Sequence, residues 1–292
     1  MTDRSPHRFR LQKTIWLQVI VYLQLVFLAA GIGGGSAQAN ELTDLGEMPF
    51  DKYENRPEQA PDFLFGYVGG VELGNVRIVG SNGDFTVPFP VFGMNYKDTV
   101  YWNVTRGGAW LWKSRDRTFK FGPVLKLRLA LNTDNDAQLT GLTKRKGSLE
   151  AGLGASWFSP IIKTSLEAYQ DFSGRSNGAS ALLKVSRFVK LNYHISAIPF
   201  ASLEWLSADV VDYYYGVNSL ESAASGIAAY AGRSTIIARG GVTVAEHFTR
   251  HWAILGGVVY QRFGQGITDS PIVTKGSATA FYVGTTYLFL SL

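Results

Sequence analysis

The sequence predicts an all-β protein: a transmembrane antiparallel β-barrel of the outer-membrane type, with about 12 strands. Three observations predict it. From Phe63 onward, apolar and polar residues alternate at period two in short stretches separated by turn formers. The chain is rich in Gly (32), Phe (18), Tyr (14) and Trp (7), yet only 17% of it is charged, against roughly 25% in an ordinary soluble domain. The N-terminus has the order of an export signal.

That signal comes first along the chain. Arg4, Arg8, Arg10 and Lys13 precede a largely apolar stretch from Ile15 to Ile32, then Gly33-Gly34-Gly35 and the small-residue site Ala37-Gln38-Ala39. Residues 1–39 therefore read as a signal peptide cleaved after Ala39. An uncleaved anchor competes with this reading, but the small-residue site directly after the apolar stretch favours cleavage. Residues 40–62 carry Pro49, Pro57 and Pro61 in an acidic context and read as a flexible periplasmic segment, with the barrel over 63–292. Much of the formal net charge of +5 sits in the signal, which leaves no basic patch for a nucleic-acid partner. Cysteine is absent, which excludes disulfides and thiolate metal sites. No cofactor motif is present.

The predicted strands are 63–74, 86–97, 99–105, 108–114, 118–131, 148–158, 161–172, 178–189, 191–206, 233–246, 250–263 and 276–290. In the fifth, Phe119, Phe121, Leu125 and Leu127 share one face and Lys120, Gly122, Lys126 and Arg128 the other. The same division separates Leu149, Leu153 and Trp157 from Glu150 and Ser156, and Leu203 and Trp205 from Ser202 and Glu204. The connections alternate in length. Lys97-Asp98, Arg115 to Arg117, Ser159-Pro160, Val189-Lys190 and His247 to Thr249 are short. Asn75 to Phe85, Asn132 to Gly147, Ser207 to Gly232 and Ile267 to Lys275 are long, with Ser173 to Asn177 intermediate. An even count with this alternation puts both ends of the barrel on the periplasmic side and the long loops outside. The weak place is 99–114, which read as one strand would break the topology.

A soluble sandwich also alternates, so what each face carries must decide. The polar faces hold glycine and long charged side chains, which suit a wet lumen better than a dry core, and aromatics gather near strand ends as interfacial girdles. Candidate lumen-lining residues are Lys120, Lys126, Arg128, Glu150, Lys163, Glu167, Asp171, Lys184, His194, Glu204 and Arg239. The favoured reading is that they pair across strands and fill a narrow barrel; the functional one is a small, weakly anion-preferring pore. His194, beside Asn192 and Ser196, reads as a polar wall residue rather than half of a Ser/His hydrolase pair. His247 and His251 lie at a turn without a metal cage.

The longest loop carries Tyr213-Tyr214-Tyr215-Gly216-Val217, then Glu221, Ala223, Ala224, Gly226 and Tyr230. Asp269-Ser270-Pro271-Ile272-Val273 precedes the last strand, and Gly122-Pro123, Leu139-Thr140-Gly141-Leu142 and Tyr287-Leu288-Phe289 stand in the corresponding order. Together these segments resemble the MipA/OmpV family, the MltA-interacting proteins of Gram-negative outer membranes, over roughly Phe65 to Phe289. The chain departs from the family's common terminal Phe by continuing through Leu290-Ser291-Leu292. The resemblance implies a non-enzymatic barrel in outer-membrane lipid, inserted by the barrel-assembly machinery. It further implies a scaffold that joins a murein lytic transglycosylase to a bifunctional murein synthase; other members are antigens or adhesins. Tyr213, Tyr214, Tyr215, Gly216, Tyr230, Asp269, Ser270 and Pro271 are the candidate interaction residues, in loops read as folding inward to form an ordered plug.

Overall fold

The computed structural model describes residues 63–74, 85–103, 105–130, 139–249 and 251–291; the stretch read as a signal peptide, 1–39, and the one read as a periplasmic segment, 40–62, lie outside them. The first strands are β1 (Phe63–Gly74), β2 (Phe85–Tyr96), β3 (Val100–Asn103), β4 (Arg106–Ala109), β5 (Trp112–Lys113), β6 (Phe119–Arg128) and β7 (Ser148–Phe158). They are followed by β8 (Lys163–Asp171), β9 (Ala179–Ser186), β10 (Val189–Lys190) and β11 (Ile195–Leu206). Helices α1 (Ala208–Tyr215) and α2 (Ser219–Ser225) precede β12 (Thr235–His247) and β13 (Trp252–Phe263); α3 (Gln265–Thr268) precedes β14 (Ser277–Ser291).

Every strand pairing is antiparallel, and the sheet closes on itself. β14 pairs with the whole of β1, from Phe63 opposite Ser291 to Gly74 opposite Ala280. At the far side of the ring β9 pairs with β11, Ser186 opposite Phe200. Because β5 prolongs β4 along β6 and β10 prolongs β9 along β11, the wall formed by the described residues has twelve strands, in line with the about 12 that the sequence predicts. Closure removes the free outer edges of an open sheet, apart from the part of β2 that β3 does not reach.

Two sequence boundaries need correction. The region 99–114 does form two wall strands, but they meet with Asn103 opposite Arg106, so the break between them comes before Arg106 rather than at 106–107. The second of them breaks after Ala109 because a Cβ at Gly122 would lie 1.8 Å from the Ala109 carbonyl oxygen; only glycine admits that approach. The short turn placed at Val189-Lys190 lies instead at 191–194, and Val189 and Lys190 pair with Ala197 and Ser196. Asn192 fixes the turn by accepting the backbone N–H of His194 and Ile195 on its Oδ1, each at 2.8 Å. The Lys97-Asp98 turn forms as read, both residues at φ 51°, the signature of a two-residue hairpin whose twist suits the strands.

One stretch of wall is asymmetric. β2 pairs with β1 along all twelve of its residues, whereas β3 covers only Gly93 to Tyr96. Pro88 and Pro90 share backbone direction with Tyr96, whose carbonyl accepts Thr99 N on the β3 side. Beyond the reach of β3, that edge of β2 therefore lacks an N–H at two alternate positions, the way natural sheets blunt an edge.

Burial alternates around the ring. In β6, Lys120, Val124, Lys126 and Arg128 are buried while Phe119, Phe121 and Leu125 are exposed. In β8 and β11, Ser165, Glu167, Ser202 and Glu204 are buried, and Leu166, Leu203 and Trp205 are exposed. The buried face of a closed ring is its inside, so the polar face is inside and the apolar face outside. Water favours the reverse; hydrocarbon favours this arrangement. Among the described residues no helix is long and apolar enough to cross a membrane, so the strands alone are available to cross one.

Candidate functional site

The inner face builds its charge from alternate residues of its strands, paired between neighbours and across the ring from β6 to β11. Glu204 is the hub. Its Oε1 accepts Lys126 Nζ and, at 3.0 Å, Arg128 Nη2; its Oε2 accepts Arg239 Nη1 at 2.8 Å. Glu150 accepts Arg128 Nε at 2.7 Å and the Ser180 hydroxyl at 2.8 Å, with Lys126 Nζ 3.6 Å away. Two carboxylates and three cations thus form one connected network, which offsets the desolvation each would suffer alone.

The other predicted wall residues lie around this hub. Glu167 accepts Arg106 Nη1 at 3.3 Å and the Tyr169 hydroxyl at 2.5 Å. Lys120 bonds Asp98 at 2.5 Å, across the hairpin end. Lys184 is buried with its ammonium 4.9 Å from the Phe200 ring centroid, and half-buried Lys163 stands 5.7 Å from that of Phe158. Asp171, the last residue of β8, collects the backbone N–H groups of Ser173, Arg175, Ser176 and Asn177 and so shapes the following loop. His194 departs from its predicted place. It is exposed in the 191–194 turn, its Nδ1 3.2 Å from the His247 carbonyl, because Asn192 bends the chain away before β11 begins.

At the long-loop end, the segment after β11 is helical. Ser207 caps α1 by accepting Val210 N on its side chain. Asn218 and Glu221 form a reciprocal capping box on α2, and Gly226 ends it at φ 74°. α1 turns Val210, Val211, Tyr214 and Tyr215 to one side, where they join Leu206, Ile237, Phe263, Ile267 and Ile272 in a buried apolar cluster. Leu206, Ile237 and Phe263 are inward-facing residues at strand ends, so the helix rests on the inside of the wall there.

Polar contacts pin this cap. Arg145 donates to both oxygens of Glu221, at 2.6 and 3.0 Å, and to the Gly216 carbonyl at 2.9 Å. Glu221 also accepts Thr143 N and Asn218 N. Burial raises the Glu221 pKa, but the Arg145 guanidinium and these backbone donors outweigh it and hold the carboxyl at about 2. Burial pushes the Tyr214 hydroxyl, which donates to Ser148 Oγ, up to about 12. Tyr213 accepts Lys146 N, and Tyr230 pairs with Val217 across a two-way bridge while its hydroxyl donates to the Gly266 carbonyl. Ser270 donates to the Tyr215 carbonyl at 2.6 Å; Pro271 is half-buried beside it, and Asp269 pairs with Arg233 at the exposed rim. The two loop motifs singled out in the sequence therefore meet.

Arg145 and Glu221 were not among the predicted site residues as a pair. The signal for them was the Asn218-x-x-Glu221 spacing, a helix-start signature inside what reads as a loop. Among the described residues no group of three or more His, Asp or Glu is placed to hold a metal ion.

Comparison with known proteins places this arrangement. The family model described as MltA-interacting protein MipA matches residues 68–289. The "MltA-interacting protein" of Escherichia coli K12 is 28% identical over 208 residues, covering 69% of this chain and 82% of that protein. "Outer membrane protein OmpV" of Vibrio cholerae is 27% identical over 161 residues, 55% of this chain and 61% of that one. Among solved structures, an outer membrane channel from Pseudomonas putida F1 superposes with a TM-score of 0.44 at 8% identity, covering 79% of this chain and 96% of that one. The protein is an outer-membrane β-barrel of a Gram-negative bacterium, and the chain belongs to the MipA family of MltA-interacting proteins.

Proposed function

We propose that this barrel is a non-enzymatic scaffold, with its lumen plugged, that holds murein-processing enzymes at the inner surface of the outer membrane. The observation that carries the reading is the filling of the lumen. Glu204 and Glu150 pair with Lys126, Arg128 and Arg239 inside the wall, and α1 is packed on its inner face. A wall of twelve strands lies between the eight-stranded barrels that side chains fill and the open porins of sixteen or more, so it is the packed helix and paired charges, not the strand number, that support closure. A barrel spent on closing itself is suited to presenting surfaces rather than to conduction.

The name of the Escherichia coli relative, "MltA-interacting protein", supports a murein lytic transglycosylase as one partner; a bifunctional murein synthase beside it is what the family resemblance implies. The surfaces that reach them are residues 40–62 and the short turns, with the tyrosine-bearing cap outside the cell. The test is co-purification of a lytic transglycosylase and a murein synthase from envelopes that carry either the intact chain or one lacking residues 40–62. Capture by the intact chain and its loss on deletion, with the barrel still folded by its heat-dependent gel mobility, is the expected result. Equal capture by both chains overturns the assignment of the surface, and capture by neither overturns the scaffold.

A further inference from the structure

The two hairpin ends nearest the start of the barrel form a strongly basic corner. β1 begins with Phe63 opposite Tyr96, the last residue of β2, so the chain enters the wall beside the Lys97-Asp98 turn. From that turn β3 leads to β4 and β5, whose short connection to β6 carries Arg115 and Arg117. Across these two turns and the strand ends they join, Lys97, Lys113, Arg115, Arg117 and Lys120 stand against two carboxylates, Asp98 and Asp116. Asp98 already pairs with Lys113 and Lys120. Asp116 accepts the Ser114 hydroxyl, Thr118 N and the Thr118 hydroxyl, which fixes the second turn. Lys97, Arg115 and Arg117 are exposed, and among the described residues none of them is ion-paired.

The segment that ends at this corner has the opposite charge. From Asn40 to Asp62 it carries seven carboxylates against Lys52 and Arg56. Asp62 precedes Phe63, and so lies about one strand spacing, roughly 5 Å, from the end of β2 that leads into Lys97. The turn of Arg115 and Arg117 lies between the third and fourth neighbours of β1, roughly 17 Å along the rim. Six extended residues span about 20 Å, so Glu58 and Glu54 reach that turn while Asp62 stays beside Lys97. An exposed ion pair is weak by itself. A short tether, however, holds its two charges at a local concentration in the millimolar range, where weak attraction keeps them together. A separate acidic partner has no such tether.

We propose that the acidic segment over 40–62 docks on the Lys97, Arg115 and Arg117 corner of its own barrel, as an electrostatic latch. The latched segment lies along the periplasmic rim instead of extending away from it. The contact is within one chain and does not rest on the scaffold reading; where that reading holds, the latch decides when the segment is available to a partner.

The test uses residues 40–292 refolded in an uncharged maltoside detergent, with nitroxides at Asn55→Cys and Tyr193→Cys; the natural chain has no cysteine to compete. Tyr193 is exposed in the 191–194 turn on the far side of the ring, so a docked segment gives one narrow distance peak in double electron–electron resonance. The peak is expected at low salt and should be lost at about 1 M sodium chloride, where screening acts within about 3 Å. Lys97→Glu, Arg115→Glu and Arg117→Glu together should abolish it at low salt, and adding Asp51→Lys, Glu54→Lys and Glu58→Lys should restore it. Lys146→Glu with Lys275→Glu, at the opposite end of the barrel, should leave it unchanged. Heat-dependent gel mobility reports folding, and restoration by the second reversal separates loss of charge from loss of structure. Absence of the peak at low salt, a peak that ignores salt, or one that survives reversal of the corner overturns the latch. A peak present in phosphatidylcholine nanodiscs but lost when phosphatidylglycerol is added assigns the corner to lipid headgroups and overturns docking in the membrane.

Discussion

Glu204 accepts three cations from three strands, and removing its charge shows what the network is worth. Glu204→Gln keeps the shape but leaves Lys126 and Arg128 to Glu150 alone and takes the carboxylate at position 204 away from Arg239. Breaking a buried pair in this way costs roughly 3–5 kcal/mol, measurable as a shifted urea midpoint of the barrel in lipid. Glu221 makes a different prediction, in pH. Its folded pKa of about 2 lies below its ordinary value, so its contribution is complete above about pH 4.5 and disappears as pH falls toward 2. Limited proteolysis of the 207–232 segment should therefore accelerate as pH falls from about 5 to about 2.5, roughly the window between the two pKa values, while Glu221→Gln should cleave readily at neutral pH. Unchanged cleavage across that window would sink the role given to the Arg145 pair. At this scale the facing of each charge was legible, because parity along a strand assigns it to one side. Which charges meet was not. Lys126 and Glu204 are brought together only by closure of the ring, and no local pattern contains that distance.

Among the elements, the wall strands were legible and the cap was not. Strands announce themselves by alternation and by glycine-bearing turns, whereas α1 and α2 are short helices held by tertiary packing. Their signals were present nonetheless: Val210, Val211, Tyr214 and Tyr215 have helical spacing, and Asn218 with Glu221 is a capping box. Composition drew attention to the tyrosines first and obscured both. The strand errors at 99–114 and 189–194 have one cause. Where strands are short, a glycine approach or an asparagine turn fixes the boundary, and periodicity over four residues is too brief to locate it. The element-scale prediction concerns α1. Replacing residues 208–230 with a short glycine-serine link removes Val210, Val211, Tyr214 and Tyr215 from the inner face. Planar-bilayer recording should then show conductance steps that the intact barrel lacks. Identical traces would mean that the cap does not close the lumen.

For the whole molecule, the even strand number and the alternation of short and long connections were legible because a barrel has only two ends. The closing pairs were not, since β1 and β14 lie far apart in sequence and only topology joins them. Deleting β14 would leave β1 and β13 each with a bare row of backbone donors and acceptors facing hydrocarbon, where each unsatisfied group costs several kcal/mol. The expected outcome is loss of the heat-modifiable folded band and accumulation of unfolded chain; a stable inserted form without β14 would contradict the closed ring.

The seam between β1 and β14 also sets a timetable for export. β1 enters the periplasm early and its β14 partner only near the end of secretion, so the first strand must wait through the passage of nearly every other before its outer edge is covered. Throughout that interval the chain carries alternating apolar strands with no membrane around them, the condition in which sheets recruit strangers. Holding chaperones are thus a requirement of this wiring, and the duration of that dependence is governed by how fast Ser277–Ser291 arrives.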